Sequence, residues 1–402
     1  MANGRALFAA ILAITLAASN PAWAQKHYDP GVTDNEITFG HSIPLSGPAS
    51  ATGAVGLAEA DYFKKVNAEG GVNGRKLNFI QLDDGYNPAR TLEAIRKLVE
   101  QDHVFLIFAT QGTPPNIAIQ KYLTVNKVPQ LFIGSGAGRW NDPARFPWTI
   151  PAIPSYIAEA KIFAAYILAK KPDAKIAILY QNDDYGRDYF NGLKAGLGAH
   201  VNQLTAVQTY EATDPTVTSQ VITLQSSGAD AFVIAAIPAP AAQAIHKIAD
   251  LGWHPMVFLN YIANSPATTL KAAGHEQAKG VISTFFVRDP NDPQWQGTKD
   301  LVDFQAWLKR YGTDLNPADP QNATGYVLAH LMVEVLKRCG DNLTRANLVT
   351  QASHVTDLAL PMLLPGVTMT YTPTEYVPFR KLQLEQFDGQ RYRALGAPTA
   401  VD

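Results

Sequence analysis

The sequence predicts an α/β protein of two lobes, each a parallel sheet flanked by helices. Three observations lead there. Apolar runs of strand length alternate with helix-period segments from residue 37 to residue 133, the pattern of a parallel sheet covered on both faces. The alternation pauses in a stretch rich in proline and aromatics, 143–154, and then restarts. A chain of 402 residues also exceeds what one ordinary core serves and suits two.

Taken in order, residues 37–43 alternate as a strand and run into Pro44-Leu45-Ser46-Gly47-Pro48. A helix over 56–68 puts Ala58, Tyr62, Phe63 and Val66 on one face. Gly70-Gly71-Val72-Asn73-Gly74 stops it with residues that tolerate positive φ. A strand over 77–82 closes in Asp83-Asp84-Gly85, and Asn87-Pro88 starts a helix with Leu92, Ile95, Leu98 and Val99 inward. Next comes the stretch around which the chain is organised, 105–138. Residues 105–108 form an apolar strand that turns at Ala109-Thr110-Gln111-Gly112. Thr113 reads as an N-cap before Pro114 at the first helical position. A helix over 116–125 leads to a strand over 131–133 that ends in Gly134-Ser135-Gly136-Ala137-Gly138. Two loops of small residues thus share the carboxyl edge of one sheet, where open parallel sheets hold ligands. Tight turns alone would also account for the glycines.

Past the pause at 143–154, read as the first crossing between lobes, strands are expected at 175–180, 204–210, 231–236, 256–259 and 281–286. Helices are expected at 156–170, from 185, and over 217–226 and 239–251. Helices over 295–311 and 321–338 follow, with a third from 344. The end is extended at 369–371 and 381–387, with a hairpin turn at Asp388-Gly389.

The formal charge of −2 gives no basic surface for nucleic acid, and no block of like charge suggests a tail. Arg5 precedes an apolar 6–18, and Ala22-Trp23-Ala24 has the small-x-small form of a cleavage site. An exported chain, cleaved after Ala24 and delivered to the periplasm, is expected. Cys339 is the single cysteine and extends the apolar stripe of its helix, so it reads as a buried small hydrophobe. The sequence has no HExxH, CxxC, GxSxG or Walker loop. No catalytic residue, metal or cofactor is therefore expected. Gly136-Ala137-Gly138-Arg139-Trp140-Asn141 lacks the last glycine of a dinucleotide fingerprint, which sets a Rossmann enzyme far behind. His41 reads as a satisfied core histidine or a residue of the cleft, Asp83-Asp84 as strand-end caps or a cation site, and Arg139 as a surface residue or a partner for a ligand acid.

SIPLSGPAS, the helix ending in EGGVNGRKL, DDGYNP, VPQLFIGSGAG and LYQNDDYGRD stand in an order that resembles the periplasmic solute-binding proteins of ABC importers, of the branched-chain amino acid (Leu/Ile/Val-binding) type. The resemblance covers nearly all of the chain after residue 24. It implies a type I binding fold of two lobes joined by three crossing strands. One lobe would comprise 25–152 plus about 289–365, and the other 153–288 plus about 366–402. A monomer that hands a small solute to membrane permease subunits is implied, without nucleic acid. A ligand-sensing module working with a receptor chain is the other reading.

Carried over motif by motif, the resemblance places Thr52 against the ligand, Thr110 at its carboxylate, and Gly136 and Gly138 in a loop offering main-chain groups. Tyr185 would close over the ligand from the second lobe, or would simply start a helix capped by Asp183 or Asp184. With their loop neighbours Ala109, Gln111, Gly112, Ser135 and Ala137, and with Pro238 and Tyr261, these residues make up the expected ligand set. Where amino-acid binders of the type have an acidic residue for the ammonium, this chain has Tyr261, and Pro238 stands near the place of a contact tyrosine. An unpaired buried ammonium is costly. An aromatic or phenylpropanoid carboxylate is therefore expected, with branched-chain amino acids or short amides as the alternative.

Overall fold

The structure is a computed structural model, and it describes residues 26–400. The proposed leader and its cleavage site lie outside those residues. Two sheets organise the chain. The first has five parallel strands in the order Lys76–Asp83, Glu36–Ile43, Ile107–Phe108, Gln130–Ile133 and Thr149–Pro151. The second runs Tyr392–Ala394, Lys381–Phe387, Ile282–Phe285, Met256–Leu259, Ala231–Ala235, Ile176–Gln181 and Leu204–Tyr210. Its five central and terminal strands from Ile282–Phe285 to Leu204–Tyr210 are parallel. The C-terminal strands join antiparallel, and Thr399–Ala400 also pairs with Lys381–Phe387. Each sheet reverses its strand order once, between Glu36–Ile43 and Ile107–Phe108 and between Ile176–Gln181 and Ala231–Ala235. Ligand crevices in open sheets form at such reversals, outside the carboxyl ends.

Helices cover both sheets because their apolar faces have nowhere else to go. Gly53–Ala68 buries Val55, Ala58, Tyr62, Phe63 and Val66. The helix Gln321–Cys339 packs on it so closely that a Cβ at Gly325 would stand 2.2 Å from the Val55 carbonyl. Tyr62 and Tyr326 meet edge to face at 5.0 Å, a geometry that aromatic pairs favour. Lys299–Tyr311 packs on the same helix, and Asn342–Leu343 pairs with His27–Tyr28. The chain therefore returns to the side of the first sheet after residue 289 and rejoins the second sheet at Lys381–Phe387. Cys339 is buried, and burial pushes its thiol up to about 12, as a small hydrophobe requires.

Four local expectations need correction. The pause at 143–154 contains a strand, Thr149–Pro151, at the edge of the first sheet, where a proline costs no ladder bond. The apolar run 105–108 is buried throughout, yet only Ile107–Phe108 is strand. Arg345 takes the carbonyls of Val104 and Phe105 at 2.8 and 2.9 Å, which withdraws them from the ladder. The third helix begins at Thr113 rather than being capped by it. Gly112, at φ +92°, is the cap, and the Thr113 hydroxyl is paired with Ser135 instead. Similarly, Trp295 lies in a short 3-10 turn before Lys299–Tyr311.

Candidate functional site

The first sheet's carboxyl edge is held by side chains that cap its loops. Asp83 accepts from the N–H groups of Leu45, Ser46 and Gly85 and from the Ser46 hydroxyl. Asp84 accepts from Ser42, Thr91 and the N–H of Tyr86. Both carboxylates are thus committed to strand-end capping. They fix Tyr86 at φ +64°, a left-handed backbone unusual for a tyrosine. Its ring lies where a side chain at Gly112 would be, 2.4 Å from a Cβ built there. In the second loop Ser135 accepts from the Trp140 indole at 2.7 Å and pairs with Thr113 at 2.6 Å.

The second sheet contributes the start of the helix Asp184–Leu197, whose N-cap is Asp183. The Asp183 carboxylate accepts from Gly186 and from the Gln181 amide, and burial raises its pKa. Tyr185 is 2% exposed, edge to face with Tyr156 at 5.0 Å and Tyr189 at 5.5 Å. It is the second residue of a helix capped by Asp183, and its hydroxyl is buried with no partner. Few buried polar groups are left so.

Two cavities with shared walls lie between the sheets. The smaller is lined by Ala49, Thr52, Tyr86, Gln111, Gly112, Gly134, Tyr156, Tyr185, Ile237 and Ile262. No charged side chain is among them. The larger shares Thr52, Gln111 and Ile262 and adds apolar walls from Val55, Ile153, Tyr261 and residues 285–287. Arg288, Asp289, Gln321 and Thr324 also line it. Direct bonds cross between the sheets around both cavities. Gly138 N–H donates to Asp188 at 2.7 Å, Arg139 pairs with Asp184 at 2.7 Å, and the Gln181 amide reaches the Tyr86 hydroxyl at 3.3 Å.

Of the residues expected to touch a ligand, Thr52, Gln111, Gly112, Tyr185 and Tyr261 line these cavities. Thr110 lies one residue away, with its hydroxyl buried and unpartnered. Ala109, Ser135, Gly136, Ala137, Gly138 and Pro238 are not among the lining residues. Their groups have other work. Ala109 N–H donates to Leu131, and the Gly136 carbonyl accepts from Tyr156. A Cβ at Gly136 would stand 1.9 Å from the Pro154 carbonyl, so that wall is closed by backbone. The Gly138 N–H is taken by Asp188, and Pro238 starts the helix Pro238–Asp250. Tyr261 presents its ring, while its hydroxyl donates to the Pro154 carbonyl at 2.6 Å. Arg139 is held by Asp184 and Gln120.

His41 is a core residue. It is fully buried, 2.8 Å from the Gln81 amide and 3.4 Å from Glu59, and burial lowers its pKa to about 3 while raising that of Glu59. Sequence reasoning missed Tyr86, Tyr156, Ile153, Ile262 and Arg288. Tyr86 sits inside the quoted DDGYNP motif and Tyr156 at the start of an expected helix, so both were within reach; Ile153, Ile262 and Arg288 come from passages with no periodic signal.

Residues 36–374 match a family model described as periplasmic binding protein. The Leu/Ile/Val-binding protein homolog 7 of Brucella suis biovar 1 is 25% identical over 317 residues, 75% of this chain and 77% of that one. A branched-chain amino acid ABC transporter protein from Thermus thermophilus, solved with bound valine, superposes with a TM-score of 0.81 at 19% identity, over 92% of this chain and 97% of its own. A fatty acid ABC transporter substrate-binding protein from Thermomonospora curvata superposes with a TM-score of 0.80 at 21% identity, over 93% and 95%. These relatives are binding proteins rather than enzymes. The two-sheet architecture with a cleft at both strand-order reversals, matched over most of its length, makes this chain a member of the periplasmic binding protein family.

Proposed function

We propose that this protein is the extracytoplasmic substrate-binding component of an ABC importer, and that it captures a small organic acid with an aromatic or other apolar body in the cleft between its lobes. The observation that carries this reading is the Tyr185 hydroxyl, buried without a partner on the wall of a cavity between the two sheets. A solute accepting or donating there would satisfy it. We place the ligand against Thr52, Gln111, Gly112 and Tyr185, with Thr110 behind them and the Tyr261 ring alongside. The lobes would be 25–152 plus about 289–365 and 153–288 plus about 366–402, with the leader removed after Ala24 and the mature monomer working in the periplasm. Contacts made only when the lobes are shut would shift the hinge equilibrium toward closure, and the closed form would be presented to permease subunits.

Among the described residues no carboxylate lines the smaller cavity, and the one that lines the larger, Asp289, is turned to Asn291, which argues for an acid without an ammonium group. A second reading, a branched-chain amino acid, is favoured by the Leu/Ile/Val-binding relative and by the valine-bound structural neighbour. Mass spectrometry of small molecules released from freshly purified protein separates the two. An aryl or alkyl carboxylate supports the first, and leucine, isoleucine or valine would replace it with the second.

A further inference from the structure

We propose that Arg288 anchors the anionic end of the solute, so that the carboxylate lies beside it in the larger cavity rather than against the Thr110 loop. Given a solute in the cleft, as proposed above, its charge has to be matched from the walls. Among the described residues, Arg288 is the only cationic side chain lining either cavity. One edge of its guanidinium is committed: Nη1 donates to Asp300 at 2.8 Å, and the group lies 5.1 Å over the Trp295 ring. The other edge is open. Nε is buried without a partner, and Nη2 makes no hydrogen bond among the described residues. Nε and Nη2 together are the parallel donors that a carboxylate accepts side by side.

Asp289 is the one carboxylate on the same wall. Its Oδ1 accepts from the main-chain and side-chain N–H groups of Asn291 at 2.8 and 3.0 Å, so it is turned to its own loop. Burial also raises its pKa, which lessens its opposition to a neighbouring anion. Ile153, Ile262, Phe285 and Phe286 give the larger cavity apolar walls, with Asn264, Thr284, Gln321 and Thr324 as its neutral polar groups beside Gln111. The solute class that fits is an acid with an apolar or aryl body, whose neutral end reaches Gln111 and Tyr185. Arg288 also lies on a passage between the sheets, where its N–H donates to Met362 at 2.8 Å. Charge pairing there would act on the hinge itself.

The test is isothermal titration of the mature chain with 3-phenylpropanoate, 3-phenylpropanamide and L-leucine. The variants are Arg288→Gln, Arg288→Lys and Tyr185→Phe, with ligand-free melting as the folding control, because Arg288→Gln also deprives Asp300 of its partner. The acid should bind the wild type and lose about 10- to 150-fold in Arg288→Gln. The amide should change by less than about 3-fold, and Arg288→Lys should recover part of the loss. An acid that weakens in Tyr185→Phe but not in Arg288→Gln removes Arg288 while leaving the cleft as the solute site. An acid indifferent to both variants removes both readings. Binding of leucine or the amide with no binding of the acid overturns the anion anchor.

Discussion

Replacing Tyr185 by phenylalanine isolates the group on which the proposed function rests. Alanine is the wrong probe. The ring is 2% exposed and packed against Tyr156 and Tyr189, so removing it leaves a cavity costing about 3–5 kcal/mol. Binding and folding would then fall together. Phenylalanine keeps the ring and deletes only the hydroxyl that lacks a partner. On the proposed hinge the ligand-free cleft would open and let water reach that hydroxyl, so unfolding free energy should change by no more than about 0.5 kcal/mol. In the bound form one hydrogen bond is lost. That is worth about 0.5–1.5 kcal/mol to a neutral acceptor and about 1.5–3 kcal/mol to a charged one, or roughly 2- to 12-fold against 12- to 150-fold in affinity. With the carboxylate at Arg288, the smaller range applies. Titration calorimetry with the tightest solute, paired with denaturant unfolding of the ligand-free protein, reads both quantities. An unchanged affinity with a loss of more than about 1 kcal/mol in stability would make the hydroxyl structural and refute the reasoning.

Other perturbations should separate scaffold from site. Ser135→Ala leaves the Trp140 indole and Thr113 hydroxyl unmatched in a buried place; urea unfolding should show a loss of about 1–3 kcal/mol, with affinity in the folded protein unchanged. Glu159 is fully buried, accepts from Thr284, Tyr189 and the Tyr261 N–H, and is raised to about 8 by burial. The folded protein therefore keeps a proton that the unfolded chain releases above about 4.5. The stability attributable to Glu159 is complete below that pH and is lost as pH rises toward 8, by at most about 1.4 kcal/mol per pH unit. Unfolding of wild type and Glu159→Gln across this window should show the wild type's relative stability falling, and a gap that widens in its favour would contradict the assignment. The Arg139–Asp184 pair is about one-third exposed on each side. Arg139→Ala should accordingly shift affinity or stability by less than about 1 kcal/mol.

Much of the fold was legible because its signals are local. Apolar period, proline positions and glycine loops placed Glu36–Ile43, Gly53–Ala68 and Gln130–Ile133 to within a few residues. What escaped was set at a distance. The strand at 107 is short because Arg345, far along the chain, claims the carbonyl of Phe105. The Tyr261 hydroxyl is engaged by Pro154, 107 residues upstream. Thr149–Pro151 hid behind a proline that only an edge position tolerates. Around the cavities, Gln111 and Gly112 could be named from a loop of small residues, and Tyr185 from the family resemblance of its motif. Ile153 and Arg288 could not, because they lie on passages between the sheets where spacing encodes no face.

Small-angle scattering of the mature chain, stripped of solute and then resupplied with whatever is recovered from the native preparation, tests the hinged cleft most directly. Closure over the solute predicts a smaller radius of gyration on binding, together with a shorter distance between fluorophores placed one on each lobe. An identical radius and an identical distance at saturating solute would contradict it.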